Sequence, residues 1–331
     1  MSFGAAFLAR PEALAEPVLE EPWGDRRVTL DCAGLYFAFE GINAGQAEAL
    51  RQHLGAFTTS GVASPADELA VTRVVRTPRE TFLHPPTRGW ELWMDFDYQP
   101  AQVRAASLRM LSWLRWRPAP ESELGSDLEG TVATCVAEGP EFLGVLENHL
   151  RVLVAYRLLA VGGVLLHSSG VVDGQDQNSA GRAYLFLGPS GAGKTTVARL
   201  SREQGLAVLS DDMNGVIPQP ETAGVYRVPF AGEPALSCPM GESEPLPLAA
   251  LVRLRQGETS RLRSLTRSQA LAHLAACAPF VNRDPHRQEA LLHNLESLLR
   301  TTPALELEFP RSGGFWPMLR QWHRETPCLT T

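Results

Sequence analysis

Lysine is almost absent from this chain of 331 residues, since only Lys194 among the 30 basic side chains is a lysine. Lysine is a compact point charge on a slim stem, whereas arginine is a wide planar fork, so the two differ most at crowded sites. Lys194 lies inside a glycine-rich segment. We therefore expect a tight, anion-binding loop there, with room for a lysine but not for an arginine.

Cysteine and positive charge are also scarce. The five cysteines are scattered, odd in number and without metal-type spacing, which favours reduced thiols in a cytoplasmic protein. The net charge of −7 argues against a broad electrostatic grip on nucleic acid or on an anionic membrane. The first residues show no basic start followed by an apolar run, and the most apolar stretch, 143–166, is interrupted by charged side chains. Neither nucleic acid nor a membrane is therefore expected as a partner.

The pattern of apolar residues and turn signals predicts an α/β protein with two domains, an α+β region at 1–138 and a second domain at 139–331. In the first, we predict strands at 27–31, 35–40, 69–76 and 90–96, a helix at 44–54, helix or strand at 101–117, and a loop at 118–130. In the second, we predict helices at 141–160, 195–204, 268–277, 287–300 and 316–324, strands at 164–166, 183–187, 206–209 and 304–309, a Pro/Gly-rich region at 218–247, and a hairpin of 251–255 with 261–265.

The glycine-rich segment fits the pattern Gly-x-x-x-x-Gly-Lys-Ser/Thr without a mismatch. Its glycines allow successive backbone N–H groups to point at phosphate oxygens, and the following helix adds the positive end of its dipole. In this motif the lysine reaches the β and γ phosphates and the hydroxyl ligates Mg²⁺. We assign nucleotide binding to Gly188, Pro189, Ser190, Gly191, Ala192, Gly193, Lys194, Thr195 and Thr196.

Two adjacent carboxylates follow the next predicted strand, in the run Ser210-Asp211-Asp212. Ligands of open α/β sheets bind beyond the carboxyl ends of the strands. Beside a bound triphosphate, one carboxylate can hold Mg²⁺ and the other can accept the proton of an attacking hydroxyl.

The run from Gly188 to Asp212 resembles the nucleotide-binding core of HPr kinase/phosphorylase and its relatives. The likeness includes Gly205 eleven residues after Lys194 and the aspartate pair seventeen and eighteen residues after it. Residues 165–170, with His167, look like the histidine-containing strand that precedes the loop in that family. The resemblance implies a P-loop kinase domain of the HPr kinase and phosphoenolpyruvate-carboxykinase type, with a mixed central sheet.

Residue by residue, the resemblance implies that Asp211 is the general base and that Asp212, with Thr195, holds Mg²⁺. It also implies catalytic roles for Lys194 and for His167, which would lie near the phosphates. The glycine-rich, acidic carboxyl-terminal signature of authentic HPr kinase/phosphorylases is not found here, so HPr itself is not expected as the substrate. The closer likeness is to the HPr-kinase-related proteins.

These observations predict an ATP-dependent kinase that transfers the γ-phosphoryl group of Mg-ATP to a hydroxyl, a serine on a peptide or small protein. Two alternatives stay open: a small-molecule kinase acting on serine or a sugar, and a non-catalytic ATP-binding switch or assembly protein. A third, a decarboxylating carboxykinase, is the least favoured, because the Lys/His metal ligands and the arginine cluster of that chemistry are not identified. The first domain is assigned to acceptor binding or to formation of a homo-oligomer.

Two further groups are candidates for the site. Glu233, in a Pro-Phe-x-Gly-like segment, could point into it, although a solvated turn is the plainer interpretation. Four alternating arginines on the predicted hairpin could contact phosphate or an acidic acceptor, although a solvated strand face is again plainer. They are Arg253, Arg255, Arg261 and Arg263.

Overall fold

The computed structural model describes residues 21–59, 69–82, 94–107, 109–116, 128–174, 181–233, 245–310 and 314–325. Within these ranges the protein is a mixed α/β structure with two mixed sheets and six α-helices. The chain divides into two compact units, the first ending at Arg157 and the second beginning at Leu158. None of the helices in these ranges is long and apolar enough to cross a membrane.

The first unit contains a seven-stranded sheet in the order β1-β2-β3-β7-β6-β5-β4. Strands β2, β3 and β7 run parallel to one another, and the remaining neighbours are antiparallel. The elements are β1 (Arg26–Cys32), β2 (Leu35–Ile42), α1 (Ala44–His53), β3 (Leu69–Arg76), β4 (Asp95–Gln99), β5 (Gln102–Ser107), β6 (Met110–Trp116), β7 (Leu128–Thr134) and most of α2 (Gly139–Ala160), whose end from Leu158 onward belongs to the second unit.

Most elements predicted in this half are present, because their apolar alternation is regular. The region at 101–117, left open between helix and strand, forms β5 and β6, while part of the strand predicted at 90–96 lies outside the described residues. The predicted loop at 118–130 is wrong at its end, since β7 already begins at Leu128. Gly130 looked like a turn residue, but it lies within β7. A glycine fits there because a Cβ would meet the Thr72 hydroxyl at 2.4 Å.

The second unit contains an eight-stranded sheet in which β8 pairs antiparallel with three neighbours, β9, β10 and β11. The elements are β8 (Val164–Asp173), β9 (Arg182–Leu187), α3 (Lys194–Glu203), β10 (Ala207–Ser210), β11 (Met213–Pro218), β12 (Ala223–Tyr226), β13 (Leu246–Gln256), β14 (Arg261–Ser264), α4 (Arg267–Ala276), α5 (Gln288–Thr301), β15 (Ala304–Phe309) and α6 (Trp316–Glu325). Short 3-10 turns occur in the chain at Gly55–Phe57, Arg79–Thr81 and Val281–Arg283.

Three parallel strands, β9, β13 and β15, end at the same edge of this sheet. Leu187, the last residue of β9, lies beside Arg253, and Phe309, the last residue of β15, lies beside Gln256. Strand β8 pairs with β11 over its first four residues and with β9 and β10 over the rest. This arrangement brings the loop after β9 and the turn after β10 towards one region.

The predicted hairpin is wrong. Strands β13 and β14 do not pair with each other, because β15 lies between them, parallel to β13 and antiparallel to β14. Each of the two outer strands carries an arginine opposite Glu306, and both Arg253 and Arg263 form ion pairs with it. The short polar connection at 257–260 resembles a hairpin turn. The negative charge that pairs with these arginines nevertheless belongs to Glu306, on a strand about forty residues further along the chain.

Two other strand predictions need correction. The strand predicted to end at His167 continues to Asp173, because residues 168–172 are all buried between β9 and β10. Strands β11 and β12 were not predicted, since their Asn, Gly and Pro residues are typical of turns. Asn214 nevertheless fits a buried strand because its side-chain amide donates to the Ser168 carbonyl and hydroxyl.

A cluster of aromatic rings forms much of the core around α3 and α6. Phe186 lies edge-on to Phe315 and Trp316, with ring centroids 6.1 and 5.8 Å apart. The Trp316 indole N–H also donates to the Ser201 hydroxyl at 2.9 Å, and both residues are fully buried. Helix α3, which follows the glycine-rich loop, therefore packs against α6 and is hydrogen-bonded to it.

Candidate functional site

The glycine-rich loop begins where the buried strand β9 ends and leads directly into α3. Gly191 and Gly193 have φ values of 80° and 110°, in the left-handed region that side chains disfavour. Gly193 is the N-cap of α3 and makes no side-chain capping bond. The N–H groups of the first turn of α3 would therefore be open to an anionic ligand.

Close packing restricts the same loop to small residues. A Cβ on Gly188 would lie 2.6 Å from the Ala192 Cβ, and one on Gly193 would lie 3.0 Å from the Phe309 ring. Gln256 donates from its amide nitrogen to the Gly191 carbonyl at 2.6 Å. The loop is therefore held in its curved form by neighbours at the ends of β13 and β15, and its backbone forms a cradle that side chains would fill.

Lys194 lies largely buried beneath this loop, with 7% of its surface exposed. Its Nζ donates to the carbonyls of Gly188 and Pro189 at 2.9 and 3.3 Å. Burial lowers the pKa of Lys194, and the nearby Cys277 and Asp212 act in the opposite direction. The ammonium group is therefore placed at the loop by its own carbonyls, within reach of phosphates that the loop would hold.

The aspartate pair lies in a turn that the Ser210 hydroxyl organises. This hydroxyl accepts hydrogen bonds from the backbone N–H groups of Asp212 and Met213, at 3.0 and 3.1 Å. Asp211 is 4% exposed, and its Oδ1 accepts two backbone N–H groups at 2.9 Å. The turn directs both carboxylates to the same region as the loop.

Asp212 pairs with His167, which lies on the neighbouring strand β8. The His167 Nδ1 and the Asp212 Oδ1 are 3.1 Å apart, and the histidine side chain is 40% exposed. The backbone fixes both partners, because the Ser168 N–H donates to the Asp212 carbonyl at 3.0 Å and the His167 N–H donates to the Cys277 carbonyl at 2.8 Å. His167 is thus held beside a predicted metal ligand.

One cavity of about 460 Å³ joins these groups. Its wall contains six predicted site residues besides Ser190, Gly191 and Gly193: His167, Lys194, Thr195, Thr196, Asp211 and Asp212. The other three predicted loop residues, Gly188, Pro189 and Ala192, do not line it. The first two hold the Lys194 ammonium with their carbonyls, and Ala192 packs in the core.

Three further residues that were not among the predicted site residues line the cavity, namely Gly232, Gln256 and Phe309. Gly232 belongs to the Pro-Phe-x-Gly-like segment, in which only Glu233 was considered for the site. Gln256 and Phe309 lie far from the loop in sequence, and a lone glutamine or phenylalanine at a strand end carries no motif. The apolar run of β15 and the polar end of β13 predicted strands there but could not show that the strands end beside the loop.

The other candidates do not face the cavity. The Glu233 side chain forms an ion pair with Arg199 of α3. Arg253 and Arg263 form ion pairs with Glu306, which is only 3% exposed, and Arg255 and Arg261 lie opposite Glu308 in the sheet. The four arginines therefore belong to a ladder of alternating charge across three strands, and the exposure of Arg255, Arg261 and Arg263 agrees with the plainer interpretation, a solvated strand face.

The described wall of the cavity contains oxygen donors suited to a magnesium ion but no dense cluster of metal ligands. In the parts of the chain that the structure describes, no group of three or more His, Cys, Asp or Glu side chains could hold a metal. The hydroxyl of Thr195 and the carboxylate of Asp212, both on the cavity wall, are oxygen donors of the kind that Mg²⁺ prefers. Mg²⁺ at a nucleotide site takes its remaining ligands from phosphates and water, so this sparse set fits it.

No protein-family model matches the chain, and no curated protein is significantly similar to it.

Proposed function

We propose that the second unit is an ATP-dependent kinase, which transfers the γ-phosphoryl group to a hydroxyl acceptor, a serine on a peptide or small protein. The observation that carries this proposal is that Lys194 and Asp211 line one cavity, although they lie on separate elements. A phosphate-binding loop alone supports nucleotide binding. A buried carboxylate in the same cavity supports transfer to a hydroxyl.

The loop provides the binding half of this function. The N–H groups of the first turn of α3 would bind the phosphates of ATP, and Lys194 would leave its carbonyl partners to contact the β and γ phosphates. Thr195 and Asp212 would hold Mg²⁺, which when bound neutralises charge that develops on the transferred group. Because hydrogen bonds already fix the backbone of the loop and of the turn, the main rearrangement needed is the movement of the Lys194 ammonium away from those carbonyls.

The turn provides the proton-accepting half. The backbone donors occupy Oδ1 of Asp211, so Oδ2 is the oxygen that would take the proton of the acceptor hydroxyl. His167 would orient Asp212 through their 3.1 Å contact, and its partial exposure leaves the ring at the cavity wall. The likeness of residues 164–213 to HPr-kinase-related proteins supports the same roles and a kinase fold of that type.

The cysteines support a reducing compartment for this activity. Cys32, Cys135 and Cys277, the cysteines within the described residues, are free thiols. Because disulfides form and persist mainly in oxidising compartments, we propose that the kinase acts in the cytoplasm.

The decisive experiment follows label from Mg-[γ-³²P]ATP after incubation of the purified protein with a lysate of its own source. Asp211→Asn should lower transfer at least about a hundredfold, because it removes the general base, while the affinity for Mg-ATP changes less than about twofold. Lys194→Ala is the control for nucleotide-dependent labelling. Label in a discrete peptide supports the proposal, and label in a metabolite identifies a small-molecule kinase.

Tight binding of Mg-ATP without transfer to any component would contradict the kinase and favour a nucleotide-dependent switch. Transfer that is unchanged in Asp211→Asn would contradict the role of this carboxylate, even if the protein is a kinase.

A further inference from the structure

A short segment at 228–233, named the clasp, lies against the turn that carries Asp211. Val228 and Phe230 anchor it, since both are buried in the unit. The Ser210 hydroxyl donates to the Phe230 carbonyl at 2.6 Å, and the N–H groups of Gly232 and Glu233 donate to Asp211 Oδ1. The clasp therefore binds both the turn and the carboxylate.

Ser210 is 1% exposed and Asp211 is 4% exposed, so water competes little for the buried hydrogen bond from Ser210 to the Phe230 carbonyl. The two N–H groups that donate to Asp211 Oδ1 come from an exposed residue, Gly232, and a half-buried one, Glu233, so these bonds lie at the edge of the buried region. The ion pair of Glu233 with Arg199 connects the clasp to α3, but both side chains are exposed, and such pairs contribute little. The hold on Asp211 therefore depends on Ser210 and on the two backbone donors.

Gly232 approaches the carboxylate more closely than any other residue type could without displacing it. A Cβ on Gly232 would lie 3.1 Å from Asp211 Oδ2 and 3.3 Å from Oδ1. The backbone of Gly232 is outside the left-handed region, so its conformation does not itself require glycine. The close carboxylate is the feature that would disfavour a side chain, and Gly232 lies on the cavity wall.

We propose that the clasp aims the free oxygen of Asp211 into the cavity and that Ser210 and Gly232 are positioning residues for phosphoryl transfer. The proposal rests on the proposed kinase function. Ser210 receives the N–H groups of the turn and fixes it to the clasp, and the clasp in turn holds Oδ1. The orientation of the carboxylate is then fixed, with Oδ2 facing the place of the acceptor hydroxyl.

The first test compares Gly232→Ala with Gly314→Ala. Both substitutions add one methyl group outside the left-handed region, but a Cβ on Gly314 would meet nothing within 4 Å. Gly232→Ala displaces the carboxylate by a few tenths of an ångström, so kcat should fall roughly tenfold, while the affinity for Mg-ATP changes less than about twofold. Gly314→Ala should retain wild-type values. The acceptors are free L-serine and a serine-centred peptide library, with phosphate release reporting transfer to water.

The second test restores the hydroxyl. Ser210→Ala should lower kcat with little change in the affinity for Mg-ATP, and Ser210→Thr should recover most of the loss. A purely structural role would instead alter binding and transfer together, and it would not separate kcat from nucleotide affinity.

The two proposals fail in different ways. If the wild-type protein transfers phosphate and Gly232→Ala matches Gly314→Ala, the positioning role is wrong and the kinase stands. If the wild-type protein binds Mg-ATP but transfers phosphate neither to an acceptor nor to water, the kinase proposal fails and the positioning role fails with it.

Discussion

The two units each hold a histidine within a polar cluster, and the clusters differ in access to solvent. In the first unit His149 is fully buried, with Nε2 2.9 Å from the Thr72 hydroxyl and Nδ1 2.8 Å from the Ser112 hydroxyl. In the second unit His167 is 40% exposed on a cavity wall and contacts the carboxylate of Asp212.

The difference separates a structural histidine from a candidate functional one. Both nitrogens of His149 have neutral partners in a closed environment, and burial lowers its pKa to about 3, so the ring stays neutral. The cluster can stabilise the fold but cannot contact a ligand. His167 has a charged partner on one side and faces the cavity on the other, so a bound ligand could contact it. The identity of the residue alone does not distinguish these two roles.

The largest effect is expected at Lys194, which lines the same cavity as His167. Lys194→Ala should weaken Mg-ATP binding at least about a hundredfold, because it removes a charge-assisted contact worth about 3 kcal/mol. Lys194→Arg should weaken it as well, since a planar fork does not fit beneath a loop whose lysine is 7% exposed. Titration calorimetry gives the affinities, and Arg202→Ala, an exposed position on the same helix, is the control. Full affinity in Lys194→Ala would contradict a phosphate-binding loop.

The buried cluster around His149 should make the free energy of unfolding depend on pH in the acid range. A buried neutral histidine stabilises the fold fully above its unfolded pKa of about 6.5, and this stabilisation is lost as the pH falls towards the folded value of about 3. At pH 5 the loss should reach about 2 kcal/mol in the free energy of unfolding. Urea unfolding at pH 7 and pH 5 measures it.

His149→Gln cannot titrate and should lose correspondingly less stability between these two pH values, whereas His293→Gln, at an exposed position on α5, should behave like wild type. Equal losses in the wild-type protein and His149→Gln would show that the ring is not kept neutral by burial.

The smallest effect is expected at His167, and it sharpens the contrast. His167→Asn should change the free energy of unfolding by less than about 0.5 kcal/mol, because the side chain is partly exposed. Transfer should fall about tenfold, since Asp212 loses the group that orients it. Steady-state transfer assays and urea unfolding on the same preparation provide both numbers. A large loss of stability with normal transfer would place His167 with His149 as a structural residue.

Local patterns in the sequence predicted the elements well but predicted their partners poorly. The strand at Ala304–Phe309 alternates regularly and was predicted with its bounds, yet its insertion between β13 and β14 was not. A strand's neighbours depend on contacts between distant segments, and the short connection after Gln256 favoured the wrong pairing. Glu306 alone, facing two arginines, hints at the actual order.

The candidate site divides in the same way. The loop was predictable because its residues are contiguous and each has a physical reason to be there. Gln256 was not, because its contact with the Gly191 carbonyl arises only after folding. Gly232 was visible as part of a Pro-Phe-x-Gly-like segment, but its backbone N–H bond to Asp211 also arises only after folding. Ser210 was visible as a neighbour of the aspartates, but its bond to the Phe230 carbonyl was not.

The single lysine of the chain has a consequence for chemical modification. Amine-directed reagents and lysine acylation find one side-chain target among the 331 residues, and that amine is sheltered by the carbonyls of Gly188 and Pro189. Its labelling rate would therefore report, without any engineered probe, how often the Lys194 ammonium leaves those carbonyls. Acylation of Lys194 would remove the only lysine charge of the chain, which lies at the glycine-rich loop.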